Sequence, residues 1–139
     1  MDNKHQKVTV AGFLVVDGKA LIVRRSANQS FLPGWYEIPG GKINFGEDPK
    51  EALIREFKEE TNLKIKPQSP YRVFHYLSHQ DQRHTVEIVY LVDLEDNIAN
   101  LKLGHEHDSF AWITPEDIIN FQLSDEIKAD IEEGFNFLK

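Results

Sequence analysis

Residues 41–63 have the sequence GKINFGEDPKEALIREFKEETNL, and this stretch decides the fold. Asp48 suits the N-cap of a helix, because its carboxylate can accept hydrogen bonds from the unpaired N–H groups of the first turn. Pro49 fits the first helical position, where no backbone donor is needed. Asn62 tolerates the left-handed conformation that ends many helices. The stretch therefore predicts a helix between Asp48 and Asn62.

Three carboxylates share one turn of this helix. At about 100° per residue, Glu60 falls about 40° to one side of Glu56, and Glu59 falls about 60° to the other side. Like charges at this spacing cost roughly 0.2–0.5 kcal/mol per pair in water, and more beside a buried face. A hard divalent cation such as Mg²⁺, which accepts carboxylate, water and phosphate oxygens, would remove this repulsion. Arg55 and Lys58 fall on other sides of the helix, so we expect neither to neutralise the cluster.

A solvated acidic face is the alternative interpretation, because most glutamate-rich helical turns are simply exposed to water. Two neighbouring features favour the metal. Gly40 and Gly41 permit backbone conformations that can turn a carbonyl toward an ion. Glu47, one residue before the helix cap, is placed to bind Arg55 across the loop.

The segments on either side of the helix predict a mixed sheet. Strands are expected at residues 8–16, 21–23, 71–77, 85–94 and 110–113. Asp17-Gly18 is a hairpin turn signal, and residues 38–41 should interrupt regular structure. A short helix should begin at Thr114-Pro115 and a last helix at Ser124. One stripe of the last helix should be formed by Ile127, Ile131, Phe135 and Leu138. The pattern predicts an α+β fold in which helices cover a mixed sheet.

Composition narrows the class of protein. A length of 139 residues predicts a single domain over residues 1–139. The net charge of −7, from 16 Lys and Arg against 23 Asp and Glu, disfavours a nucleic acid polymer as partner. The chain has no cysteine, which excludes disulfides and thiolate catalysis. The first ten residues lack a signal-peptide core, and no segment approaches a membrane span, so we expect a cytoplasmic protein without membrane contact.

The helical stretch resembles the Nudix box, in which a glycine and a glutamate precede the pattern Arg-Glu-apolar-x-Glu-Glu-x-Gly-apolar. The matching residues, at the family's spacing, are Gly41, Glu47, Arg55, Glu56, Phe57, Glu59, Glu60 and Leu63. Asn62 stands where the family has glycine, and we expect the helix end to persist because asparagine tolerates the left-handed conformation. The resemblance extends to residues 21–25, 35–42 and 112–116, and so covers most of the chain.

The resemblance implies an α/β/α sandwich, with the mixed sheet between helices, and an enzyme that uses Mg²⁺ or Mn²⁺. The implied metal ligands are the carboxylates of Glu56, Glu59 and Glu60, with the carbonyl of Gly41 as a further ligand. Bound metal would bridge pyrophosphate oxygens and lower the pKa of a water, and a carboxylate would take the proton as water attacks phosphorus. Arg55 and Glu47 would orient the cluster.

Further site residues follow from the same resemblance. Arg25 fits a position at which some members place an arginine on a phosphate, with a structural salt bridge as the alternative. Lys42 could reach a phosphate or only water. Many members carry an additional acid, sometimes the general base, in a loop before the last helix. Glu106 is our candidate, with Asp108 behind it, and a merely solvated loop is the alternative.

Two other patterns have weaker implications. Residues 104–108, GHEHD, suggest zinc, but one short stretch lacks the separated ligand pairs of structural zinc sites. Several aromatic residues could stack on a base, although most aromatic residues in a domain of this size belong to the core. These residues are Phe31, Trp35, Tyr36, Phe45 and Phe74.

The function implied is hydrolysis of a nucleoside triphosphate, an oxidised one included, to a monophosphate and pyrophosphate. ADP-ribose and other nucleoside diphosphate sugars are the alternative substrates, and no residue selects between the two classes. A nucleotide sensor on the same fold is a further alternative, although such domains typically lose the carboxylates present here. A homodimer is implied only by analogy.

Overall fold

A computed structural model describes residues 3–139, which form seven strands, two α-helices and two short 3-10 helices. The strands are β1 (His5–Val16), β2 (Lys19–Arg25), β3 (Tyr36–Glu37), β4 (Gly40–Lys42), β5 (Ile65–Ser78), β6 (Arg83–Leu94) and β7 (His107–Ile113). The α-helices are α1 (Pro49–Thr61) and α2 (Asp125–Phe137), and the 3-10 helices are Ile98–Asn100 and Pro115–Asn120.

Both predicted ends of α1 are confirmed. The Asp48 side chain accepts hydrogen bonds from the backbone N–H groups of Lys50 and Glu51. Asn62 is left-handed, with φ of 63°, and its N–H donates to the carbonyl of Lys58. The helix that carries the acidic cluster is therefore fixed at both ends by local sequence.

The sheet is mixed, as predicted. Its strands follow the order β3-β2-β1-β6-β5, with β4 also paired to β1 and β7 to β2. The β1–β6 pair is parallel, and the other pairs are antiparallel. Asp17 and Gly18 both have positive φ, 52° and 79°, at the turn between β1 and β2, which is the backbone that tight hairpins require.

Helices cover both faces of this sheet, so the α/β/α sandwich is confirmed. Along β1, Val10 and Leu14 point into a core that contains Leu53 and Phe57 of α1. The intervening Phe13 points to the opposite face, into a core closed by α2. This alternation is the two-residue period of a strand buried on both faces.

Three local predictions are wrong. Residues 40–42 form β4 against β1 instead of interrupting the sheet, since glycine at position 40 lets the two backbones approach closely. The strand expected at residues 71–77 begins at Ile65, because register shifts at Pro67 and Pro70 let the ladder continue past the prolines. Leu138 lies beyond α2 and is 52% exposed, so it is not part of the buried stripe.

Within residues 3–139, no helix has both the length and the apolar character that crossing a bilayer would require.

Candidate active site

A cavity of about 340 Å³ lies between the sheet and the C-terminal half of α1. Glu56 and Glu60 line it, so two members of the predicted acidic cluster face a common space. Glu59 does not line the cavity, and its side chain is 59% exposed. The structure therefore brings together two of the three carboxylates and leaves the third at the outer side of the helix.

Glu60 is the most deeply placed of these acids, with only 6% of its surface exposed. The backbone N–H of Gly40 donates to its Oε1 at 3.0 Å. Burial, together with the nearby carboxylates of Glu37, Glu106 and Glu56, holds the pKa of Glu60 well above its ordinary value. One backbone donor does not offset the loss of water and the surrounding negative charge, so this carboxylate lacks a cation.

Arg55 contacts the acidic cluster directly, and the expectation that it could not neutralise the cluster is wrong. Its Nη1 lies 2.8 Å from Oε1 of Glu56 and 3.5 Å from Oε1 of Glu59. A helical projection places only the Cα atom of Arg55, whereas its long side chain reaches around the helix. Lys58 makes no such contact, and its Nζ donates to the carbonyl of Asn62.

Glu47 binds Arg55 across the loop, as predicted. Arg55 Nε and Nη2 each donate to one oxygen of Glu47 at 2.8 Å, and Nη2 also donates to the Lys42 carbonyl at 3.0 Å. These bonds lower the pKa of Glu47 to about 2. For Glu56, by contrast, burial outweighs Arg55 and raises the pKa. Glu47, Arg55 and Glu56 therefore form a continuous chain of ion pairs along one edge of the cavity.

Two glycines allow the acids to approach the sheet. A Cβ on Gly41 would overlap the carboxylate of Glu56, and a Cβ on Gly40 would overlap the carbonyl oxygen of Val10 in β1. Any larger residue at either position would displace β4 or the carboxylate. The Gly40-Gly41 pair is thus explained by packing, and it leaves Gly41 on the cavity wall.

The loop before β7 places one further acid at this site. Glu106 is exposed at the rim of the cavity, near enough to Glu56 and Glu60 to raise the pKa of both. Gly104 anchors the loop, since its N–H donates to the carbonyl of Glu60 at 3.0 Å. Asp108 does not line the cavity and instead pairs with Arg24 at 2.7 Å.

His107 lies beside the site and contacts Glu37, and within the described chain it belongs to no cluster of metal-ligating side chains. It is buried, and its Nε2 lies 2.8 Å from Oε2 of Glu37. Arg25 Nη1 contacts the same carboxylate at 3.2 Å. Glu37, which the sequence analysis missed, is therefore held between a histidine and an arginine beside Glu60. The sequence signal for Glu37 was an acidic residue three positions before Gly40.

Arg25 and Lys42 both line the cavity, as a phosphate-contacting role would require. The structural alternative for Arg25 is also present, because it pairs with Glu37 and donates to the carbonyl of Phe31 at 2.6 Å. Lys7 and Arg83, which the sequence analysis did not single out, line the same cavity. Burial, together with the nearby charges of Arg83 and Lys42, lowers the pKa of Lys7.

The five candidate aromatic residues have separate locations. Phe31 lines the main cavity and, with Trp35, Tyr36 and Phe74, an adjoining one. Phe45 is fully exposed, at the tip of the loop before α1. The four aromatic residues at the cavities remain candidates for stacking.

The residues present fit a divalent cation in their chemistry. Glu56 and Glu60 are hard oxygen donors, Gly41 lies beside them, and Glu60 is a nearly buried carboxylate without a cation partner among residues 3–139. The candidate ligands are not close enough together to hold an ion as they stand, since no three His, Asp or Glu side chains of the described chain form a ligand group. Glu56 and Glu59 are instead paired with Arg55.

Comparison with known proteins identifies clear relatives. Residues 5–134 match the family model for the NUDIX domain. An ADP-ribose pyrophosphatase from Methanocaldococcus jannaschii is 34% identical over 90 residues, which are 65% of this chain and 52% of that protein, so the match spans about half of the relative's length. A CTP pyrophosphohydrolase from Escherichia coli K12 is 30% identical over 117 residues, covering 83% of this chain and 81% of that protein.

The architecture matches solved structures as well. The crystal structure of the MutT protein from Methanosarcina mazei Go1 superposes with a TM-score of 0.83 at 27% identity, over 98% of this chain and 97% of that one.

Proposed function

The chain belongs to the Nudix family, and from that premise we propose that it is a metal-dependent pyrophosphohydrolase of nucleoside triphosphates, oxidised ones included. The products are a nucleoside monophosphate and pyrophosphate. Nudix hydrolases act on phosphoanhydride bonds and generally need divalent metal ions, and we propose Mg²⁺ or Mn²⁺ for this chain.

The observation that carries the proposal is the state of Glu60. It is a nearly buried carboxylate, faced by three other carboxylates and bound only by one backbone N–H. Such a group is costly in a folded protein unless a cation joins it. A diphosphate bound through that cation would explain why an acidic cavity also contains Arg25 and Lys42.

The ligands would be Glu56, Glu60 and the Gly41 carbonyl, with Glu59 joining after a side-chain rotation. An ion held by these residues would supply positive charge to the diphosphate and a water of lowered pKa. Arg55, fixed by Glu47, would position Glu56. Glu106 at the rim would accept the proton from the attacking water, since it is exposed and adjoins both cavity carboxylates.

Two other substrates or roles compete with this proposal. ADP-ribose or another nucleoside diphosphate sugar would use the same metal and the same cationic residues, and one relative is named an ADP-ribose pyrophosphatase. A non-catalytic nucleotide sensor would need the pocket but not the carboxylates. The presence of all three box carboxylates favours the enzyme.

A substrate panel with product identification tests the proposal. The purified protein is incubated with the nucleoside triphosphates, 8-oxo-dGTP, ADP-ribose and a UDP-sugar, with Mg²⁺ and with excess chelator. Metal-dependent release of pyrophosphate from a triphosphate supports the proposal. Cleavage of the sugar compounds alone would establish the alternative substrate class, and nucleotide binding without any turnover would establish the sensor.

Three further features of the chain remain proposals: a single domain over residues 1–139, a cytoplasmic location and a homodimer. A small nucleotide is the proposed partner, without a nucleic acid polymer or a membrane.

A further inference from the structure

A second cavity, of about 170 Å³, adjoins the candidate active site. Five aromatic residues line it, together with aliphatic side chains and the charged groups of Arg25, Glu37 and Glu126; the aromatic residues are Phe31, Trp35, Tyr36, Phe74 and Tyr76. The rings of Phe31 and Tyr76 are stacked, with centroids 5.6 Å apart and planes at 8°. Flat aromatic surfaces next to a phosphate-binding cavity are suited to a nucleobase.

Glu87 lies where the two cavities meet, since it lines both. It is half-buried on β6, an otherwise largely apolar strand. Thr9 Oγ1 donates to its Oε1 at 2.9 Å, and within residues 3–139 its Oε2 has no hydrogen-bond partner. The carboxyl is thus held by Thr9 through Oε1, which can accept a second hydrogen bond, and Oε2 remains available to a ligand.

The surroundings of Glu87 keep its carboxyl protonated in about half of the molecules near pH 7 and in most of them at pH 6. Loss of water and the neighbouring Glu37 raise the pKa of Glu87 to about 7, although the charges of Lys7 and Arg72 act in the opposite direction. A neutral carboxyl offers one O–H donor and one carbonyl acceptor side by side. A phosphate would not bind such a group in preference to the cationic side chains of Arg25, Lys42 and Arg83 nearby.

We infer that Glu87 binds the pairing edge of the substrate's base, and that the site selects bases with an amino group beside an acceptor ring nitrogen, as in cytosine and adenine. The amino group would donate to one carboxyl oxygen, and the ring nitrogen would accept from the other. Uracil and guanine present an N–H at that ring position and would clash donor to donor. This inference rests on the proposed function, whose substrate it narrows.

The test compares kcat/KM for CTP, ATP, UTP and GTP with Mg²⁺ at pH 6, where most Glu87 side chains carry a proton. We expect the wild-type protein to favour CTP and ATP by about tenfold or more, the discrimination typical of a paired hydrogen bond to a base. Glu87→Gln should keep that preference, because a carboxamide presents the same donor and acceptor. Glu87→Met, of similar length but without polar atoms, should lower kcat/KM for CTP and ATP about ten- to a hundredfold and affect UTP and GTP much less.

Two controls accompany these variants. Glu132→Gln, on the exposed side of α2, should match the wild-type protein with all four substrates. Thr9→Val should weaken the CTP and ATP preference in part, since it removes the hydroxyl that orients Glu87. Thr9→Val also tests the inference if Glu87→Met fails to fold, which circular dichroism would reveal.

Calorimetric binding of CMP, AMP, UMP and GMP, without metal, provides a readout independent of turnover. Tighter binding of CMP and AMP that is lost in Glu87→Met supports the inference. A preference for uracil or guanine, or discrimination unchanged in the variants, overturns it while the proposed function stands. Absence of turnover with every triphosphate overturns the proposed function instead, and monophosphate binding then decides the role of Glu87 alone.

Discussion

The free energy of unfolding should depend on pH through Glu87, and Glu87→Gln should remove that dependence. The pKa of Glu87 rises from 4.5 to about 7 on folding. Each pKa unit is worth about 1.4 kcal/mol, so keeping this carboxylate ionised in the folded state costs about 3 kcal/mol. This is an upper limit, because the half-buried side chain retains some contact with water.

The sign follows from the direction of the change. A carboxyl with a raised folded-state pKa costs nothing below the unfolded pKa of 4.5, and it lowers stability as the pH rises through 7. Glutamine keeps the acceptor for Thr9 and never ionises. The variant should therefore equal the wild-type protein in stability near pH 4.5 and exceed it by up to about 3 kcal/mol at pH 8.5.

Urea denaturation between pH 4.5 and 8.5, followed by circular dichroism in the presence of EDTA, measures this difference. The chelator prevents metal binding from adding to the free energy of unfolding. Glu132→Gln, an exposed control, should differ from the wild-type protein by the same small amount at every pH. A stability difference for Glu87→Gln that does not grow with pH would refute the reasoning.

Three further substitutions test other parts of the structure. Glu60→Gln should lower turnover about a hundredfold or more, while the metal-free variant should be at least as stable as the wild-type protein. Mg²⁺ should raise the Tm of the variant less than that of the wild-type protein. An equal rise would place the main metal site elsewhere. Gly134→Ala should destabilise the protein by about 1–3 kcal/mol in urea titrations, because its Cβ would lie 2.5 Å from the buried ring of Phe13, and unchanged stability would show that the ring can move. Arg72→Met should cost about 1–3 kcal/mol by the same measurement, since it removes the hydrogen-bond partner of the buried Asp130 carboxyl, whose pKa burial already raises to about 8, and a loss below 1 kcal/mol would contradict that pairing.

The features that sequence predicts well here are local. The start and end of α1 depend on Asp48, Pro49 and Asn62. The capping hydrogen bonds of Asp48 and Asn62 join them to residues no more than four positions away in the chain. The β1–β2 turn depends on Asp17 and Gly18 in the same way. Such features need no knowledge of distant parts of the chain, and the structure confirms them.

The features that sequence missed depend on contacts between distant segments. Glu37 and Glu87 reach the cavity because β3 and β6 bring them there, 50 residues apart in the chain. Projection onto a helix also misplaced Arg55, because side-chain length and the loop containing Glu47 decide where a guanidinium lies. One signal was available, since an acid within the apolar stretch of residues 85–94 is unusual for a buried strand.

Two buried acids of the same protein show why Glu60 points to function. Asp130 has no exposed surface, and its Oδ1 lies 2.7 Å from Nη1 of Arg72, whose guanidinium also contacts Glu126 and Glu133. The fold thus places a cation against Asp130, between α2 and the sheet, although burial still raises the pKa of this acid to about 8. Glu60 is buried almost as deeply, yet within the described chain it receives one backbone N–H and faces other acids. Because this fold pairs Asp130 with an arginine, the absence of a cationic partner for Glu60 within the described chain is best explained by a cation that binds from solution.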